Sequence, residues 1–371
     1  MIVPHDPLYV TRPTLPPRDD IEDLLKEIWD SRFLTNRGPL LQRFETELER
    51  YLDVPHVSIV ANATLGCMVA LRSLGIDQGE VITPAFSFVA TAHAARWVGF
   101  DLVFADIDPV TLNLDPKDVE RRITPRTRAI FPVHCYANPC DVEALAEIGA
   151  RHNIPVIYDG AHCFGAVDEG GSLLRHGDLS VVSFHATKVF STFEGGAIIS
   201  HDAKTKQLID RLCNYGIVDE TQIEALGLNA KMSELHAALG LAQLPYVASD
   251  IEKRAGVSQR YWDQMSGIPG VTCVCPPNRA GLNYYSFPIL VGQQYPMSRD
   301  ILYQKLQDVG VHARKYFYPL LADLPMYSDV SPGGLDNARR ASEQVLCLPL
   351  YPDLASTDQD RIIACICDPC G

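Results

Sequence analysis

Between residues 57 and 200, short β-branched and apolar runs alternate with segments of helical periodicity, and this alternation constrains the fold more than any other feature of the chain. Runs at residues 57–60, 80–83, 101–105, 128–132, 155–159 and 181–184 read as strands. Residues 63–71, 87–98, 115–122 and 141–151 read as helices between them. Strands joined through helices pair in parallel and need cover on both faces. Ligands of such sheets bind outside the carboxyl ends of the strands. Two side chains stand at those ends: Asp159 closes one run, and Lys188 follows another.

Lys188 lies in VVSFHATKVFSTFEGGAIIS, residues 181–200, where a glycine pair introduces a further β-branched run. Taken alone it reads as one surface lysine among many. An amine that attacks a carbonyl must be partly deprotonated, which burial in a cleft provides. If that carbonyl belongs to pyridoxal phosphate, the ring draws off electrons only while its pyridine nitrogen keeps a proton, and a carboxylate beside the nitrogen keeps it there. Asp159 fits that position, and it fits a turn aspartate before Gly160 equally well. The phosphate of such a cofactor needs N–H and hydroxyl donors. Ala63 and Thr64, at the turn after the strand of residues 57–60, supply amides, and the hydroxyls of Thr64 and Ser183 add to them. Asn62, Ala63 and Thr64 also read as plain helix capping. Phe88, in TPAFSFVATA, is either a stacking face for the ring or a core aromatic.

Charge and cysteine usage bound the partners. The 371 residues carry 32 basic and 46 acidic side chains, a net charge of −14, which argues against a nucleic-acid or anionic-membrane surface and requires any anion to be held by a local site. No apolar run approaches the roughly 20 residues that span a bilayer, and residues 1–8 lack a leader pattern, so a cytoplasmic protein is expected. The 11 cysteines are scattered, several within apolar runs, as suits thiol packing. Cys365, Cys367 and Cys370 cluster without a histidine or second cysteine pair at ligand spacing, so no metal site is expected. No GxGxxG, GxxxxGK[ST], HExxH or GxSxG occurs. His134 and His162, taken singly, read as hydrogen-bonded core histidines.

The remaining patterns set the domain plan. Residues 1–19 hold five prolines and read as an extended arm. Residues 20–31 and 41–51 are amphipathic helices separated by FLTNRGPL, and residues 203–213 and 231–244 are further helices around a polar loop at 215–228. From Pro245 the pattern changes to a long helix over 249–265, strands at 271–274 and 285–291, and a helix over 298–309. A large domain over residues 1–245 and a small C-terminal domain over 246–371 follow.

The set ANATLG, TPAFSFVATA, PVHCYANPCDVEAL, VIYDGAHCFGA, SFHATKVFSTFEGGAI and LGLNAKMSELHAALGLAQL resembles, in order and spacing, the DegT/DnrJ/EryC1/StrS family of pyridoxal-phosphate-dependent nucleotide-sugar aminotransferases; KYFYPLL and VLCLPLYPDL are also similar. The resemblance implies an α/β protein of PLP fold type I, with an aspartate-aminotransferase-like large domain around a mainly parallel seven-stranded sheet and a small C-terminal α/β domain. It implies a homodimer with shared active sites. Lys188 is then the Schiff-base residue and Asp159 the partner of the pyridine nitrogen, while His162 contacts the ring hydroxyl and Phe88 stacks on the ring. Ala63, Thr64 and Ser183 hold the phosphate, and Asn229 reaches the phosphate of the neighbouring subunit. Thr35, Asn36, Lys231, Tyr316 and Phe317 match positions near the sugar nucleotide. The implied reaction is ping-pong: L-glutamate leaves its amine on the cofactor and departs as 2-oxoglutarate, and a nucleotide-linked keto-sugar takes the amine. The lysine loop is most similar to members acting at C4 of dTDP-4-keto-6-deoxyglucose; C3-specific and UDP-sugar members share the frame, and a non-catalytic cofactor-binding sensor is a further alternative. Dehydratase relatives carry histidine in place of the lysine. Gly160 and Ala63 depart from the usual Ala and Gly, Arg37 stands where a small residue is common, and Leu321 stands where histidine is frequent.

Overall fold

The computed structural model describes residues 6–76, 78–276, 281–330 and 333–368. Seven strands carry the large domain: β1 (His56–Val60), β2 (Glu80–Pro84), β3 (Asp101–Ala105), β4 (Thr127–Ile130), β5 (Ile157–Asp159), β6 (Leu179–Ser183) and β7 (Gly196–Ser200). Pairing runs β1-β7-β6-β5 on one side and β4-β2-β3 on the other. The parallel bridges Ile130↔Val156 and Val133↔Asp159 join the two into one seven-stranded sheet. Every pairing is parallel except those of β7, which runs antiparallel to β1 and β6. The exception has a simple cause. Residues 184–195 form no helix and turn the chain straight back, whereas the parallel neighbours are reached through crossovers.

The helices are α1 (Arg18–Ser31), α2 (Pro39–Leu52), α3 (Ala63–Ser73), α4 (Val89–Trp97), α5 (Pro116–Arg122), α6 (Val142–His152), α7 (Ala203–Leu212), α8 (Glu234–Gln243) and α9 (Val247–Met265). Because successive strand residues face opposite ways, Val60, Val181 and Ile198 pack with Phe86 and Phe104 on one face, and Val57, Val182 and Ile199 pack with Phe44, Phe184 and Phe190 on the other. The whole of β6 and β7 is buried. That explains why these runs place apolar residues side by side, at Val181–Val182 and Ala197–Ile199, rather than alternating.

A second, antiparallel sheet of β8 (Val271–Cys273), β9 (Phe287–Val291) and β10 (Val345–Leu348) follows in the order β8-β9-β10. With α9, α10 (Arg299–Asp308) and α12 (Ser356–Cys367) it encloses a separate core around Tyr261, Phe287, Ile289, Leu302 and Ile362. The segment leading to α11 (Asp336–Gln344) crosses back, so Phe317, Leu320, Leu321 and Tyr327 belong to the large sheet's core. The described part of the N-terminal arm before α1, residues 6–17, forms no helix, and Leu8–Tyr9 pairs in parallel with Val311–His312. Among the described residues no helix is long and apolar enough to cross a membrane.

Two local details matter for the site. The expected helix over 231–244 starts only at Glu234. Ala230 uses its backbone elsewhere, accepting from Ala61 N–H at 2.7 Å and donating to Cys213 O at 3.0 Å, so the preceding residues stay extended. Glu234 then caps a different helix. Gly38 offers α2 no side chain, and the buried Glu234 carboxylate accepts instead from the Leu40 and Leu41 amides at 2.8 and 3.1 Å. The C-terminal thiols give a buried Cys365 and an exposed Cys367, while Cys370 lies outside the described residues. Among the described residues no His, Cys, Asp and Glu group is arranged to hold a metal.

Candidate active site

A cavity of about 240 Å³ opens at the carboxyl ends of β5 and β6. Its floor begins at the first turn of α3. Asn62 caps that helix by accepting from Leu65 N–H at 2.9 Å, and among the described residues the amides of Ala63 and Thr64 have no protein acceptor. These two donors face the cavity at the positive end of a helix, which is an anion site by construction. Gly196 lets β7 pass beneath them: a Cβ there would lie 2.8 Å from Val182 O and 2.9 Å from Ala63 N. Capping and anion binding are thus compatible roles of one turn. The Ser183 hydroxyl, at the end of β6, accepts from His185 N–H at 3.3 Å and joins the same wall.

Lys188 sits in the loop between β6 and β7. That loop is held by Phe184 N–H to Gly195 O, Ala186 N–H to Phe193 O and Lys188 N–H to His185 O, all at 2.8–2.9 Å. The side chain is half-buried in the cavity, and loss of water around the ammonium pulls its pKa down from 10.5 to about 8, against the pull of Asp159. Asp159 lies on the same cavity. One carboxylate oxygen accepts from Thr91 Oγ1 at 2.7 Å and the other from Ala161 N–H at 3.1 Å. Burial raises its pKa, and the hydrogen bonds from Thr91 and Ala161, with the nearby lysine, oppose the rise. A buried carboxylate of this kind is satisfied best by a cationic N–H donor.

His162 accepts from Tyr136 N–H through Nδ1 at 3.1 Å, so Nε2 carries the ring proton. Burial, with the charge of Lys188, keeps this imidazole neutral. Phe88, at the N-cap of α4, lines the cavity and is 54% exposed, which removes the core-aromatic reading. Tyr316 and Phe317 close the opposite side. Nine expected residues, Ala63, Thr64, Phe88, Asp159, His162, Ser183, Lys188, Tyr316 and Phe317, therefore share one cavity.

The other four do not reach it. Asn36 and Lys231 border a separate depression of about 200 Å³, where Lys231 donates to Asn214 Oδ1 at 2.8 Å. Thr35 and Asn229 line neither space, and Asn229 is bridged to Asn214 through the backbone. Arg37, which stands where a small residue is common in the family, pairs with Glu45 at 2.7 Å and Asp210 at 3.0 Å. Leu321, at the end of the 316–321 segment, is buried and donates its amide to Ala85 O. Gly160 earns its missing Cβ, which would lie 2.6 Å from Leu174 Cδ2.

Sequence reasoning missed Thr91, Cys67, Ser87 and Tyr285. Thr91 lies one helical turn beyond Phe88 in a motif already singled out, so its spacing was a usable signal. Tyr285 comes from the C-terminal half, where no pattern in the sequence pointed to it.

The donor set fits pyridoxal 5'-phosphate. Unpaired helix-start amides and hydroxyls suit the phosphate, a raised buried carboxylate suits a protonated ring nitrogen, and a depressed lysine suits an aldehyde. Comparison with known proteins points the same way. The family model of the DegT/DnrJ/EryC1/StrS aminotransferases matches residues 17–367. A dTDP-4-amino-4,6-dideoxy-D-glucose transaminase of Shigella dysenteriae is 46% identical, over 97% of this chain and 98% of its own length. The structure of DesI in the presence of its TDP-sugar product superposes with a TM-score of 0.92 at 35% identity, covering 97% of this chain and 92% of DesI. NtdA from Bacillus subtilis with bound cofactor PMP gives a TM-score of 0.85 at 30% identity, covering 94% and 80% of the two chains. With its cavity, fold and sequence in agreement, this chain belongs to the DegT/DnrJ/EryC1/StrS aminotransferase family and is a PLP-dependent transaminase of fold type I.

Proposed function

We propose that the chain moves an amino group from L-glutamate to C4 of dTDP-4-keto-6-deoxyglucose, giving 2-oxoglutarate and dTDP-4-amino-4,6-dideoxyglucose. The observation that carries this is one cavity holding a lysine of depressed pKa, a buried carboxylate and the free amides of a helix start. The identity to a transaminase named for that sugar supports the regiochemistry. Pyridoxal 5'-phosphate, when bound, supplies the electron sink that makes the Cα–H bond of an amino acid acidic.

The residues divide the remaining work. The Ala63 and Thr64 amides, with the Thr64 and Ser183 hydroxyls, hold the phosphate. Asp159 keeps the ring nitrogen protonated, His162 donates from Nε2 to the ring hydroxyl, and Phe88 covers one face. Lys188 Nζ anchors the cofactor, and once freed it takes the proton from Cα of glutamate and returns one at the sugar's C4. Near its pKa of about 8 a substantial fraction of the amine is neutral, as a base requires. Tyr316 and Phe317 border the sugar.

The reading includes a homodimer. Thr35, Asn36, Asn229 and Lys231 lie away from the Lys188 cavity, while Trp29, Phe33, Leu34, Leu226 and Leu235 are exposed apolar side chains suited to an interface. A second copy places such polar groups at a neighbour's cavity mouth. We place the enzyme in the cytoplasm, which the burial of Cys67, Cys163 and Cys347 as packing thiols within apolar surroundings favours.

The test is a panel of dTDP- and UDP-linked keto-sugars offered with L-glutamate to the cofactor-loaded protein, with the aminated carbon located by mass spectrometry and NMR. Amination of dTDP-4-keto-6-deoxyglucose at C4 is expected, with no turnover by Lys188→Ala. Amination at C3, or preference for a UDP-sugar, overturns the substrate reading. A cofactor-loaded wild type that gives no 2-oxoglutarate overturns the enzyme reading in favour of a sensor.

A further inference from the structure

Tyr285 approaches the reacting lysine from the segment at 281–285, in the C-terminal half of the chain, away from the sheet ends that carry Asp159 and Lys188. Its hydroxyl accepts from Lys188 Nζ at 3.4 Å, and the same ammonium lies 4.7 Å above its ring centroid. The other partner of that ring is the His162 imidazole, stacked at 4.2 Å and 14°. One side chain therefore touches both the lysine and the histidine that bracket the cofactor space.

Its placement is built by specific contacts. Asn283 is fully buried, and its side-chain amide donates to His162 O at 2.6 Å and Phe164 O at 2.9 Å while its carbonyl oxygen accepts from Tyr285 N–H at 3.0 Å. Gly281 O accepts from Val167 N–H at 2.9 Å, and a Cβ on Gly281, at φ 83°, would lie 2.0 Å from Val167 O. Between Asn283 and Tyr285, Tyr284 adopts φ 51°, a left-handed conformation costly for an aromatic residue. The segment 281–285 is thus tied to the loop after Asp159 at three points, and the backbone bend between Asn283 and Tyr285 aims the phenol inward. Packing alone needs no such bend.

We propose that Tyr285 is the positioning residue of the transaminase lysine: it holds the freed Nζ by its hydroxyl within reach of the substrate carbon and fixes the plane of His162. This rests on the transaminase reading above. In the cofactor-free protein the hydroxyl accepts a hydrogen bond from the ammonium. When Nζ becomes neutral and must carry a proton to and from carbon, the same contact limits the rotamers of a side chain with four rotatable bonds. Burial keeps the phenol protonated, so it acts as acceptor or donor and not as a charge. Among the described residues the other ionisable groups facing Lys188 are Asp159, His162 and Cys163, with Cys67, His185, Glu194 and Tyr316 on the cavity wall. Arg254 faces Tyr285 from α9.

The experiment compares wild type with Tyr285→Phe, which keeps the stack and removes only the hydroxyl, and with Tyr285→Leu. Stopped-flow measurement of the glutamate half-reaction reads the proton-transfer rate. In the cofactor-free protein, acylation of Lys188 at a series of pH values, quantified by peptide mass spectrometry, reads the amine directly. For Tyr285→Phe the half-reaction rate is expected to fall about tenfold with glutamate affinity within twofold, and the acylation midpoint to move to lower pH because the ammonium has lost an acceptor. Tyr285→Leu is expected to lose more rate. A Tyr285→Phe protein that matches wild type in both measurements overturns the proposal. Absence of the half-reaction in wild type itself fails the transaminase reading instead, so the two are separable.

Discussion

Replacing Gly196 by alanine tests whether the start of α3 is the phosphate site. The added Cβ would stand 2.9 Å from Ala63 N and 2.8 Å from Val182 O, closer than real Cβ contacts come. Both neighbours are backbone, in a buried strand and a helix start, so neither swings away as a side-chain tip does. Ordinary contact between such atoms needs about 3.5 Å, so the first turn of α3 must lift from β7 by about half an ångström. Overpacking of that kind costs about 1–3 kcal/mol of stability. Losing the geometry of one hydrogen bond to a charged phosphate costs about 1.5–3 kcal/mol, which weakens cofactor binding about 10- to 150-fold. The assay is titration of the cofactor-free protein with pyridoxal phosphate and, in parallel, with pyridoxal, which has the aldehyde and ring but no phosphate. A phosphate site at this turn requires a selective loss for the phosphorylated ligand. It is refuted if Gly196→Ala binds pyridoxal phosphate within twofold of wild type, or if both ligands weaken equally. Gly267→Ala, where a Cβ meets nothing within 4 Å, controls for the substitution itself.

Two other outcomes follow from the same contacts. The folded pKa of Lys188, about 8, lies below its ordinary 10.5, so between those values the unfolded chain holds the proton that the folded chain has released. Stability of the cofactor-free wild type should therefore rise with pH across about 8 to 10.5 relative to Lys188→Met, by at most about 3 kcal/mol, as denaturant melts at stepped pH will measure; parallel curves would contradict the depressed lysine. Glu234→Ala removes the carboxylate that accepts from Leu40 and Leu41 and leaves two buried donors at the head of α2, so urea unfolding should show a loss of about 2–3 kcal/mol with glutamate turnover retained below the melt. An unchanged midpoint would show that water serves the cap equally well.

The strand and helix alternation translated almost directly into the sheet, because buried parallel strands are continuous apolar runs and the helices between them carry their own periodicity. The start of α8 did not. Its residues are good helix formers, but Ala230 is engaged with Ala61 and Cys213, and tertiary hydrogen bonds outweighed propensity. Nor did α11, α12 and β10 stand out, since short elements near the C-terminus carry weak patterns. Within the site, Lys188 and Asp159 were legible as candidates because Asp159 closes one strand and Lys188 follows another, and such strand ends open on the cavity. Thr91 was one turn from a residue already chosen. Tyr285 had no local signal, because its role comes from Asn283 and Gly281 tying a distant segment to the loop at 162–167.

The amino-acid sequence by itself determined the α/β fold class through its periodicity, and its ordered motifs, through their family resemblance, indicated the cofactor and singled out Lys188 and Asp159 as candidates for its lysine and carboxylate. Tertiary structure alone decided what those residues feel. It withdraws water from Lys188, satisfies two lone pairs of Asp159, clears Gly196 for the amides above it, and leaves Asn36, Asn229 and Lys231 apart from the cavity. Distances and dielectric depend on which distant segments pack together, and no stretch of the chain carries that information alone.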